Sequence, residues 1–76
     1  MAKKNKETFK IGDVIQARYS MCISNNDQTD EESEEGDVFM ILGDEDNDSY
    51  YKLIRQKSLK ISTWDAENLW VNFTKV

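Results

Sequence analysis

Carboxylates are the side chains of this sequence that could carry acid–base chemistry, hold a metal ion or recognise a cation, and they are concentrated in one segment. Residues 27–48 contain eleven acids and no base, whereas residues 1–26 and residues 49–76 each carry five bases and two acids. The net charge of −5 over 76 residues therefore hides a sharp internal separation. Such a separation bears on partners, because a negative surface repels nucleic acid and attracts basic protein surfaces.

A metal site is the first chemistry to consider. The spacing Asp44-x-Asp46-x-Asp48 resembles the start of a calcium loop, but the sixth position would be Ser49 instead of glycine and the twelfth Arg55 instead of glutamate. The chain has no histidine and a single cysteine, so it cannot form a four-thiolate zinc site. We predict a solvated loop here, with no metal and no cofactor.

Catalysis is the second chemistry to consider. Cys22 lacks a histidine to form its thiolate, although Lys52, Lys57 or Lys60 could lower its pKa. Carboxylate pairs need a rigid, desolvated pocket to separate their pKa values, and a solvated loop offers none. The sequence has no glycine-rich phosphate loop. We predict that the protein is not an enzyme.

Short strands are the elements that must position these carboxylates. Apolar residues alternate with polar ones over residues 15–23, which predicts a half-buried strand. Residues 38–42 form a continuous apolar run, which predicts a central strand buried on both faces. Residues 49–55 and 58–64 are rich in strand formers, and we predict that they form a hairpin.

The end of the chain contains most of the large aromatic residues. Residues 65–68 can form one helical turn capped by Asp65 or Thr63, and residues 69–76 then alternate as a strand. The core residues predicted for the second half of the chain are Tyr51, Leu53, Leu69, Val71 and Phe73. Trp64 and Trp70 would then point outward with Tyr50 as partner anchors, or else cover the ends of a barrel.

These elements predict an all-β fold, a small five-stranded barrel with one short helical turn before the last strand. One domain would cover residues 9–76, with an acidic loop at 25–37, after a basic flexible tail at 1–8. Its longest apolar run is too short to span a membrane, and its start lacks the apolar stretch of a signal peptide, so we predict a cytoplasmic protein.

Several motifs support this fold. The segments "ARYSM" (17–21), "EEGDVFMIL" (34–42), "YYKLI" (50–54) and "AENLWVNFTKV" (66–76) resemble, in order and spacing, strands of SH3 domains. The resemblance implies an SH3-like barrel with the acidic loop where SH3 domains have their RT loop. Tyr19, Tyr50 and Asn68 match groove positions of that family, whereas Met21 replaces a tyrosine and Ala66 the proline.

Our first functional hypothesis concerns the acidic surface. If residues 27–37 and 44–48 lie together at one end of the barrel, they build one negative patch that imitates DNA. The chain is similar in size and charge to small acidic bacteriophage proteins that disable host machinery. The expected partner is a basic nucleic-acid-binding host protein, such as a sliding clamp, polymerase, nucleoid protein or nuclease, without direct contact with nucleic acid or membrane. The predicted partner-binding residues are Asp27, Asp30, Glu31, Glu32, Glu34, Glu35, Asp37, Asp44, Glu45, Asp46, Asp48, Tyr50, Trp64 and Trp70.

Other functions remain open. An SH3-type peptide-binding adaptor would use Tyr19, Tyr50, Trp64 and Asn68 as its shelf. A structural subunit of an assembly would use exposed strand edges, and such edges could also be hidden in a homodimer. The acidic loop could be an unstructured spacer. In the loop, Gly36 is expected to turn the chain into the next strand, and the glutamates have no predicted structural role.

Overall fold

The computed structural model describes residues 9–45 and 50–76, without the side chains of Asp44 and Glu45. The predicted basic tail and the carboxylates of Asp46 and Asp48 lie outside the described residues. The elements are β1 (Val14–Ala17), β2 (Met21–Ser24), β3 (Asp30–Ser33), β4 (Val38–Glu45), β5 (Tyr50–Arg55), β6 (Ile61–Asp65), α1 (Ala66–Asn72) and β7 (Phe73–Lys75).

Two antiparallel sheets make up the fold. The main sheet has five strands in the order β6-β5-β4-β1-β7, and β2 pairs with β3 in a separate hairpin. The chain is therefore mainly β, with five strands in its principal sheet and one short helix before the last strand, which confirms the predicted fold class.

Aromatic contacts show that the main sheet curves over its core. Phe73, at the start of the edge strand β7, meets Trp64 of the opposite edge strand β6 at 5.0 Å between ring centroids. Phe73 also meets Phe39 of the central strand β4 at 5.1 Å. Both pairs are edge-to-face, a geometry that adds to the burial of apolar area. Two edge strands of one sheet can share a ring contact only if the sheet bends, so the edges converge under α1.

The first predicted strand is interrupted. The structure divides residues 15–23 between β1 and β2, with a bend over residues 18–20. At this bend the backbone amide of Arg18 donates to the Asn72 carbonyl, and the side-chain Nε of Arg18 donates to the Phe73 carbonyl. Ile15 and Ile23 are buried as predicted, whereas Tyr19 is exposed. The alternating pattern thus continues across two strands that belong to different sheets.

The prediction that residues 38–42 are buried on both faces is wrong. Phe39 and Ile41 are fully buried, but Met40 and Leu42 are 42% and 41% exposed. The core lies on one side of the main sheet only, so Met40 and Leu42 face outward although residues 38–42 are all apolar.

The C-terminal strand begins later than predicted. Asp65 is the N-cap, as expected, and its side chain accepts from the Asn68 amide, but the helix continues to Asn72. Of the predicted core, Tyr51, Leu53, Leu69 and Phe73 are buried, whereas Val71 is 46% exposed. Val71 was assigned by strand alternation, and in a helix a residue two positions from Leu69 faces a different direction.

Candidate functional site: an acidic hairpin held by Arg55

The acidic segment folds as a hairpin. β2 and β3 pair over four positions, from Met21 opposite Ser33 to Ser24 opposite Asp30. At the tip, the amide of Thr29 donates to the Asp27 side chain at 3.0 Å and the Asn25 amide to the Thr29 carbonyl at 2.8 Å. The segment is therefore ordered, and the spacer alternative does not describe it.

Strand alternation divides the acids of β3 between two directions. Glu31 is half-buried, followed two residues later by the buried Ser33, whereas Asp30 and Glu32 are exposed. The side chains of adjacent residues point to opposite faces of a strand, so the run of acids cannot all serve the same surface.

Arg55 is the centre of the inward-facing group. It follows Tyr51 and Leu53 on the core face of β5, and its side chain is only 7% exposed. Its Nε and Nη2 both donate to Asp37 Oδ2, the former at 3.1 Å. The same oxygen accepts from the Ser33 hydroxyl at 2.9 Å and from the Glu34 amide at 3.0 Å. Asp37 thereby ties the hairpin base to β5.

Glu31 completes the cluster from the middle of the hairpin. Its Oε1 accepts from Arg55 Nη1 at 2.7 Å, and its Oε2 accepts from Asn25 and Ser58, each at 2.9 Å. The Glu31 and Asp37 side chains are both 15% exposed. The guanidinium therefore binds both carboxylates, which reach it from two points of the hairpin. The expectation that Glu31 has no structural role was therefore wrong.

The electrostatics favour the ionised form of all three groups. Burial alone would raise the pKa of Glu31, but hydrogen bonds from Asn25, Ser58 and Arg55 outweigh it and hold this pKa below its usual value. Burial likewise opposes ionisation of Asp37, and the Glu34 amide with Arg55 and Ser33 lowers its pKa overall. For Arg55, the two carboxylates outweigh burial and raise its pKa.

A second set of contacts fixes the hairpin tip to strand β6. The Asn26 amide donates to the Ile61 carbonyl at 2.8 Å, and the Asn26 and Thr63 side chains exchange two hydrogen bonds. Lys60 Nζ lies 3.3 Å from Asp27. The tip and the base of the hairpin are therefore both docked on the body of the protein.

The side chains of four acids of the hairpin segment take no part in these contacts. Within the part of the chain that the structure describes, no basic side chain pairs with them, and all four are exposed. We call them the outer carboxylates, and they are Asp30, Glu32, Glu34 and Glu35. Glu31 and Asp37 are the inner carboxylates.

The expected joining of two acidic loops does not follow from the strand register. The inner carboxylates bind Arg55, at the end of β5, whereas Asp44 and Glu45 pair with Tyr51 and Tyr50, at its start. The hairpin and the Asp44–Glu45 end of β4 thus adjoin opposite ends of β5, because the hairpin folds toward the β5–β6 turn.

The predicted aromatic anchors differ in exposure: Tyr50 is exposed, whereas Trp64 and Trp70 pack against the core. Tyr50 is 42% exposed, in agreement with its predicted outward position. Trp64 instead packs on the core, and its indole nitrogen donates to the buried Ser62 hydroxyl at 2.8 Å. Trp70 also packs against the core, so both tryptophans are partly buried, which agrees with the expected alternative of a covering position and not with that of outward anchors. Trp64 shares the inner face of β6 with Ser62, whose small side chain leaves room for the ring.

The residues of the alternative peptide shelf are not brought together as one aromatic surface. Tyr19 is 46% exposed, and its hydroxyl donates to the Val71 carbonyl at 3.3 Å. Tyr50 and Asn68 are exposed, but Trp64 faces the core.

The calcium-like spacing of Asp44, Asp46 and Asp48 falls largely outside the described residues. In residues 9–45 and 50–76, no group of cysteine and acidic side chains has the arrangement of a metal site. Cys22 is exposed opposite Glu32. Among the described residues, no helix is long and apolar enough to cross a membrane.

Comparison with protein-family models, with curated proteins and with solved structures finds no match for this chain.

Proposed function

We propose that this protein is a non-enzymatic binding protein that presents the outer carboxylates to the basic surface of a nucleic-acid-binding protein. The observation that carries the proposal is the division of the acids. The inner carboxylates hold the hairpin in place, and the outer ones remain exposed without a basic partner among the described residues.

Rigid presentation supports binding. A docked hairpin has already lost most of the conformational freedom that a disordered acidic loop would lose on association, so less binding free energy is spent on ordering. Alternate positions of a strand are ~6.7 Å apart. Asp30, Glu32 and Glu34 follow this alternation, although Glu34 lies just beyond β3. One strand of DNA carries a phosphate about every 3.4 Å of its axis, so such a row has about half that density.

The mechanism we infer is competition. Carboxylates of the hairpin would occupy lysine and arginine sites that otherwise hold phosphates. Complementary charge accelerates encounter, and salt screens it, so such a complex forms fast at low salt and weakens as salt rises. Inhibition of a host nucleic-acid-binding protein by a bacteriophage protein is the biological setting that fits this chemistry best.

The SH3-type adaptor is less well supported. Its shelf would require Trp64 beside Tyr19 and Tyr50, and the Trp64 ring packs on Phe73 instead. An adaptor would also depend on aromatic residues more than on charge, which the same experiment can distinguish.

The test is affinity capture with the immobilised protein from a bacterial lysate, eluted by a salt gradient, with and without competing double-stranded DNA. We expect nucleic-acid-binding proteins to elute with rising salt and to be displaced by the DNA. Glu32→Gln should shift their elution to lower salt, whereas Glu67→Gln, a matched change on the exposed face of α1, should not. Retention that neither salt nor Glu32→Gln alters, and that Tyr50→Ala abolishes, would overturn the proposal in favour of the adaptor.

A further inference from the structure

The outer face of the main sheet carries a row of apolar side chains that crosses β6, β5, β4 and β1 and ends at Val76, just after β7. Val14 of β1 pairs with Met40 of β4, Met40 with Ile54 of β5, and Ile54 with Ile61 of β6. On the other side, the Val76 amide donates to the Val14 carbonyl at 3.1 Å, which continues the row past the end of β7. We call these five residues the apolar row.

The row is exposed. Val14 is 39%, Met40 42%, Ile61 37% and Val76 75% exposed, and Ile54 is half-buried. A contiguous apolar patch with a polar rim is typical of an interaction surface, unlike scattered single residues. The rim is mostly neutral, with Gln16 and Thr74 paired on one side and Lys52 and Thr63 paired on the other.

The acidic hairpin lies on the opposite side of the sheet. Arg55, which binds the inner carboxylates, is on the core face of β5, and the neighbouring Ile54 is on the outer face. A partner seated on the apolar row therefore does not meet the hairpin. The hairpin carboxylates of two stacked molecules therefore point away from each other and do not oppose the association of two copies.

We propose that a second copy of this chain binds the apolar row, forming a homodimer by face-to-face stacking of the main sheets. The row is self-complementary. A two-fold axis through Met40 and parallel to the strands sets Met40 against its own equivalent, Val14 against Ile54, and Val76 against Ile61. Each pair joins apolar side chains, as an isologous interface requires. Stacked sheets lie ~10 Å apart, with their strand directions within about 30° or near 90°.

The interface area of this dimer indicates how strongly the two copies associate. Five strands at ~4.8 Å spacing, each contributing about five residues, give a footprint of roughly 300–400 Å² per protomer. A stable complex of standard size buries about 800 Å² per partner, so the dimer is weak and forms at high protein concentration. The homodimer proposal does not depend on the function proposed for the hairpin.

Sedimentation velocity over a protein concentration series, from micromolar to millimolar, tests the proposal. The wild-type protein should move from monomer to dimer, and Met40→Lys should raise the dissociation constant by at least ~10-fold, because two charges would meet at the two-fold axis. The matched control is Val71→Lys, an equally exposed apolar residue on α1, which should leave the dissociation constant unchanged. A wild-type monomer throughout the series, or equal effects of the two variants, would overturn the proposal and leave the row to a different protein.

Cysteine cross-linking provides a second test of the dimer interface, and this test does not require a substitution that weakens the dimer. In a Cys22→Ser background, a short bis-maleimide should join Met40→Cys of one protomer to its equivalent across the ~10 Å between stacked sheets, while Val71→Cys should cross-link little. Dimers cross-linked equally at both positions would show that the contact is non-specific and contradict the proposed interface.

Discussion

Glu31 and Glu32 are neighbours with the same side chain, and the fold gives them different environments. Glu31 lies 2.7 Å from Arg55 and accepts from Asn25 and Ser58, whereas Glu32 is exposed opposite Cys22. The same contrast separates Asp37 from Glu35. The acidic segment is therefore a hairpin whose inner carboxylates bind Arg55 and whose outer carboxylates are exposed, and we propose that the outer ones bind the partner. Predictions that separate stability from binding test this division.

The largest effect is expected from removing the central cation. Arg55→Met leaves two largely buried carboxylates without their counter-charge, and breaking a buried ion pair in this way costs about 3–5 kcal/mol. Urea denaturation should show this loss, which is a large part of the stability of a domain of this size. Adding Glu31→Gln and Asp37→Asn to Arg55→Met should restore part of it, because no buried charge is then left unpaired. A triple variant no more stable than Arg55→Met would contradict the ion-pair explanation.

A smaller effect is expected at the base of the hairpin. Asp37→Asn removes a charged acceptor of four hydrogen bonds and should cost about 1.5–3 kcal/mol at neutral pH. Because the folded protein holds the pKa of Asp37 below that of the unfolded chain, this stabilisation is present above about pH 4 and is lost as pH falls through the lower, folded pKa. Urea titrations at several pH values should therefore show a shallower acid loss of stability for Asp37→Asn than for the wild type. Equal acid profiles would contradict the assignment of Asp37.

The smallest effect on stability is expected from the outer carboxylates. A quadruple variant with Asp30→Asn, Glu32→Gln, Glu34→Gln and Glu35→Gln should unfold at the urea concentration of the wild type or slightly above it, because it removes repulsion among acids of one sign. The same variant should lose most of its salt-sensitive retention of lysate proteins. Reduced stability with unchanged retention would reverse the proposed roles.

Much of the fold follows from local patterns. The buried positions of β5, the cap at Asp65 and the turn glycine Gly36, with φ of 90°, agree with the sequence-based expectations. The patterns failed where tertiary packing decides orientation. Val71 continues a strand pattern but lies in a helix, and the alternation at Met40 is hidden because both faces of β4 are apolar.

The inner carboxylates were missed because a run of acids carries no mark of which member is buried. The sequence did contain a signal at Arg55, the residue with which the inner carboxylates form ion pairs. Arg55 continues the alternation of Tyr51 and Leu53, so it belongs to the core face, and a buried guanidinium requires carboxylates beside it. Which acids those are depends on how the hairpin folds back on β5, and that is a long-range contact without a local pattern.

The most direct test of the division compares Glu31→Gln with Glu32→Gln by urea denaturation, since both variants lose one charge from adjacent positions. Glu31→Gln should lower the free energy of unfolding by about 1.5–3 kcal/mol, because Arg55, Asn25 and Ser58 lose a charged acceptor. Glu32→Gln should leave the denaturation midpoint where it is in the wild type. Equal midpoints for the two variants would contradict the account, because the inner and outer carboxylates would then not differ.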